Sequence, residues 1–89
     1  MSNEIASITV LVHSLKGIET VNHVVPFRVY RQKEMFIAVP FINHNERQTA
    51  GLPETLSFEF INNRIVPGKE GNIDVLNNIV KELKLLHIV

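Results

Sequence analysis

Residues 5–12, IASITVLV, place Ala6, Ile8, Val10 and Val12 on one parity and Ser7 and Thr9 on the other. Successive side chains of an extended chain point to opposite faces, so this alternation predicts a half-buried strand. The stretch 13–22 carries a turn signal at Lys16 and Gly17 but no clear period, and reads as a connection. Alternation returns over 24–31 and 35–42, which together predict a hairpin. A three-residue loop over 32–34 would pair Arg31 with Met35. That register gathers Val25, Phe27, Val29, Met35, Ile37, Val39 and Phe41 on one face. Pro26 and Pro40 each remove a ladder donor and restrict where neighbours pair.

A second hairpin is expected over 55–66. Leu56, Phe58 and Phe60 alternate with Thr55, Ser57 and Glu59, and Asn62 and Asn63 then supply a two-residue turn. Asparagine tolerates positive φ, so a type I′ turn should pair Phe60 with Ile65 and Ile61 with Arg64. The segment VPGKEGN is a linker, after which the period changes to that of a helix. With Asn72 as N-cap, Ile73, Val75, Leu76, Ile79, Val80, Leu83 and Leu86 fall within an arc of about 160°. Asp74 at its start and Lys81, Lys84 and His87 toward its end suit the helix dipole, and His87 is expected partly buried. Between the middle strands, 41–53 reads as a short capped helical turn. Asn45 is the expected cap, Gln48 sits at capping-box spacing, Gly51 is the terminating residue and Pro53 blocks continuation.

These elements define an α+β fold in one domain, 1–89: a four- or five-stranded, mainly antiparallel sheet. The C-terminal helix packs on one face, and a short helical turn joins the middle strands. One helix covers one face. The other is expected to present Val24, Tyr30, Phe36, Ala38 and Ile42 to solvent, with Leu11 and Ile61 beside them, an apolar patch suited to a partner.

Composition narrows the function classes. Nine basic and nine acidic residues give zero formal net charge, so no global positive field draws the chain to nucleic acid. Neutrality also removes a barrier to self-association. The chain has no cysteine, which excludes disulfides, thiolate nucleophiles and cysteine-ligated metals. The first apolar run is preceded by Glu4 and no basic residue, and it is shorter than the apolar region of a signal peptide. No stretch has the length of a membrane span, and a cytoplasmic protein without membrane contact is expected.

Chemistry-bearing residues are sparse. His13, His23, His44 and His87 match no metal-ligand spacing, and no serine sits in a nucleophile-elbow motif. No catalytic group, metal or cofactor is assigned. The linker's glycines and Lys69 precede a helix N-terminus, a place for an anion, but Glu70 and Asp74 oppose one there. The leading expectation is a small non-catalytic interaction domain that forms a homo-oligomer or docks a protein partner through an open sheet face or edge. One alternative is a small-molecule or anion-binding protein, or an enzyme, using His44, Glu46 and Arg47 of the 43–51 segment with His13 or His23 nearby. A second alternative is weak single-stranded RNA binding through Tyr30 and Phe36, with Arg28, Arg31 and Arg64 at hand.

Overall fold

A computed structural model describes residues 3–69 and 72–89. In chain order the elements are β1 (Asn3–Lys16), β2 (Glu19–Gln32), β3 (Met35–Pro40), α1 (His44–Thr49), β4 (Leu56–Ile61), β5 (Arg64–Pro67) and α2 (Ile73–Leu85). The strands form one curled, antiparallel sheet in the order β1-β2-β3-β4-β5. The α+β architecture expected from the alternation is the one observed. Among the described residues no helix is long and apolar enough to cross a membrane.

The core lies in the concavity between sheet and helix. Ile8, Val10 and Val12 of β1 meet Val25, Phe27 and Val29 of β2 across the first hairpin, and α2 contributes Val75, Leu76, Ile79, Val80 and Leu83. Because α2 touches both β1 and β5, it spans the two ends of the curled sheet. Polar contacts mark each side: Asn78 Nδ2 donates to the Leu11 carbonyl at 3.0 Å, and Lys84 Nζ donates to Asn63 Oδ1 at 3.3 Å. Among the described residues the buried side chains are apolar or proline, so no desolvated charge offsets this packing. Ile73 and Leu86, the first and last residues in chain order of the expected apolar stripe, are exposed.

The β2–β3 register differs from expectation by one residue. The connection is a two-residue turn at Lys33 and Glu34, with Gln32 opposite Met35, and Lys33 takes the positive φ (56°) that the tight reversal demands. Since side chains alternate, that single residue turns β3 over. Phe36, Ala38 and Pro40 face the core, and Met35, Ile37, Val39 and Phe41 face outward. Phe36 (4% exposed) stacks on its cross-strand partner Phe58, with ring centroids 5.3 Å apart, and Ala38 is fully buried. Both were expected on the open face; both belong to the core. The second hairpin is as expected: Asn62 and Asn63 have φ of 52° and 61°, and Phe60 pairs with Ile65 and Ile61 with Arg64.

Segment 13–22 is not a connection. It is the distal half of a hairpin in which β1 and β2 each run for 14 residues and reverse at Gly17 and Ile18, Gly17 supplying φ of +66°. Pairing continues to Lys16 opposite Glu19. The β3 strand pairs only with Phe27 to Gln32 of β2, so the distal ribbon stands beyond the five-stranded part of the sheet, and none of residues 13–22 is buried.

The α2 C-terminus closes as a Schellman motif with a non-glycine residue at the left-handed position. His87 N–H donates to the Lys84 carbonyl at 3.0 Å and Ile88 N–H to the Leu83 carbonyl at 2.9 Å, with His87 at φ 59°. His87 is exposed rather than partly buried, because its backbone has already left the helix. A left-handed residue with a Cβ is strained, whereas glycine is not. His87→Gly is therefore expected to stabilise the fold by about 0.5–1 kcal/mol, read as a higher urea midpoint at unchanged slope; a lower midpoint would contradict this geometry.

Candidate functional site

The 41–53 segment uses its polar side chains to hold itself together. Asn43, not Asn45, caps α1: its Oδ1 accepts the Glu46 N–H at 2.8 Å, and its Nδ2 donates to Glu46 Oε1 at 3.0 Å. The cap lies two residues earlier than the capping-box spacing suggested, because Glu46 serves as the reciprocal partner in place of Gln48. Gly51 (φ 69°) ends the helix as expected, its N–H donating to the Gln48 carbonyl at 3.0 Å. Arg47 donates to the Leu52 carbonyl at 3.3 Å and to His44 Nδ1 at 3.0 Å, and lies 3.9 Å from Glu54. Because an arginine only donates, His44 Nδ1 is the acceptor of that bond.

Thus His44, Glu46 and Arg47 are brought together, but each already has a local partner. The turn anchors to the sheet through the buried Ala50 and Leu52 that follow it. Among the described residues, no three or more His, Asp or Glu side chains gather as a metal ion requires. Glu70, set with Asp74 against an anion at the linker, lies outside the described residues.

The histidines of the first hairpin sit on the ribbon, on opposite faces. His13 hydrogen-bonds to Asn22 directly across the strands. On the inner face Ser14 Oγ and His23 Nε2 lie 2.7 Å apart, a hydrogen bond whose direction follows the imidazole tautomer. They border an open cavity of about 320 Å³ shared with Val21 and with Thr49 of α1. A serine–imidazole pair is half of a nucleophilic triad, but among the described residues no acid is hydrogen-bonded to His23 to orient it. The pair links the two strands on the inner face of the ribbon.

The apolar surface sits only partly where expected, with Val24, Leu11 and Ile61 exposed and Phe36 and Ala38 buried. Of the five residues assigned to the open face, Val24 alone is broadly exposed (70%); Tyr30 and Ile42 are half-buried, and Phe36 and Ala38 are core. With Phe36 buried, the aromatic platform considered for RNA is lost. Part of the exposed apolar surface follows the ribbon, while Ile61, Val66, Ile73, Leu85 and Leu86 are exposed on β4, β5 and α2 and at its end. Leu11 faces Val24 across the strands, Leu15 is 77% exposed on the same side, and Ile18 is fully exposed at the turn. Phe41 continues this outer surface below the ribbon, with the Arg28 guanidinium 4.1 Å from its ring centroid. Alternation was the wrong signal for this feature. The usable one was the turn itself: folding the 8–12 run onto the 25–29 run requires a reversal at Gly17 and Ile18.

Set beside known proteins, the chain matches no family model, no curated protein and no solved structure. The capping assignment is checked by paired substitutions. Asn43→Ala is expected to cost about 1 kcal/mol in denaturant unfolding, while Asn45→Ala, on the exposed side of α1, stays within about 0.5 kcal/mol of the parent.

Proposed function

We propose that this chain is a non-catalytic interaction domain that self-associates, packing its β1–β2 ribbon and the adjoining outer sheet surface against a second copy. The observation that carries this reading is the exposure of Leu15, Ile18 and Val24 on a two-stranded ribbon outside the layer that α2 covers. A two-stranded ribbon is at best marginally stable alone in water, and clustered exposed apolar side chains favour a surface that removes them from it.

Two features favour a second copy as the occupant. The chain is electrically neutral overall, so copies approach without net repulsion. Lys16 and Glu19 oppose each other at the ribbon's end, so a two-fold arrangement can set each lysine against the other copy's glutamate. The polar groups of 43–51 are engaged within their own turn, which favours a binding role over chemistry there. A cytoplasmic setting belongs to the same proposal, since a chain without cysteine makes no use of an oxidising compartment.

Sedimentation equilibrium at tens of micromolar is expected to give a dimer. Leu15→Lys combined with Ile18→Lys should weaken it by about tenfold or more while leaving the circular dichroism unchanged, both side chains being exposed in the single chain. A clean monomer for the parent chain, or a dimer indifferent to both substitutions, would overturn the proposal.

A further inference from the structure

Where the β4–β5 hairpin meets α2, an open groove of about 440 Å³ runs along the helix. Its floor is apolar: Phe60 and Ile65, cross-strand partners, approach Val80. Its rim carries Arg64, Lys81 and Lys84, and among the described residues no carboxylate lines it. In a chain of zero formal net charge, this is a local excess of three cations.

The ion pairs among the described residues are Arg28 with Glu4 and Arg47 with Glu54, so none neutralises this rim. Lys84 is also held in place. Its Nζ donates to Asn63 Oδ1 and lies 5.4 Å from the centroid of the Phe60 ring, which leaves the ammonium two further donors beside the apolar floor.

We propose that this groove binds a small amphipathic anion, an acyl or aryl carboxylate. Its apolar body lies on Phe60, Ile65 and Val80, and its carboxylate meets Arg64, Lys81 and Lys84. The volume is within the range of small-molecule sites, and the division between an apolar floor and a few convergent polar groups is the one such sites use. Apolar burial supplies the attraction and the charge-assisted hydrogen bonds supply orientation. Neither a bare inorganic anion nor a neutral alcohol of the same length satisfies both halves. The site shares no residue with the ribbon proposed for self-association, so either can fail alone.

The test is an amide-shift NMR titration of the full chain with decanoate, decanol and inorganic phosphate in parallel. Decanoate is expected to move Arg64, Val80, Lys81 and Lys84 saturably, with decanol and phosphate each at least about tenfold weaker. Lys81→Gln with Lys84→Gln should weaken decanoate about fivefold or more without changing decanol, whereas Lys33→Gln keeps the parental affinity. Decanol binding as tightly as decanoate, phosphate binding as tightly, no saturable shift at these residues, or a double variant indistinguishable from the parent would each overturn the proposal.

Discussion

The fold depends on a single helix lying across the concave side of a curled sheet. Five aliphatic side chains of α2, from Val75 to Leu83, leave water there. At about 1.5–3 kcal/mol per buried aliphatic side chain their burial is worth on the order of 10 kcal/mol, an upper value because the unfolded chain is itself partly collapsed. Small domains have total stabilities of about 5–15 kcal/mol, so without that contact the sheet would not persist. The helix also touches β1 and β5 together, joining strands at opposite ends of the sheet order. A sheet has two faces, and this helix covers one of them.

Which residues face the helix is decided by connections rather than by the strands. The β2–β3 turn uses two residues, and that choice carries Phe36 and Ala38 into the core while turning Met35, Ile37 and Val39 outward. Both parities of 35–42 are apolar, so alternation alone could not choose between them. Only the loop length could, and the expected three-residue loop, though without the glycine such loops favour, is the one that aligns Val25, Phe27 and Val29 with Met35, Ile37 and Val39. Where the turn chemistry was distinctive, as at Asn62 and Asn63, the register was legible to the residue. The same holds for α2, whose cap at Asn72 and buried stripe follow directly from helical spacing.

The ribbon was illegible for a different reason. Over 13–22 neither face is consistently apolar, because the ribbon has no core to face; its structure comes from continued cross-strand pairing beyond the core. The α1 segment shows the converse. His44, Glu46 and Arg47 resemble chemistry when read as a string, yet the folded turn engages them with Asn43, Leu52 and one another. Of the candidate surface, Val24 is broadly exposed as expected and Leu11 and Ile61 beside it are exposed too; Leu15 and Ile18 were hidden by reading their segment as loop. Their placement puts part of the exposed apolar surface on an extension that α2 does not cover, the rest lying at Phe41 and on β4, β5 and α2.

That the ribbon is left uncovered by its own chain and is covered by another copy is the central physical claim. Amide hydrogen exchange over residues 13–22, followed across protein concentrations from below one to several tens of micromolar, tests it most directly on the order of the affinities typical of transient assemblies. The account predicts exchange that slows several-fold in the ribbon as concentration rises, while amides of α2 stay unchanged. Ribbon exchange independent of concentration, whether fast or already protected at the lowest concentration, would contradict it.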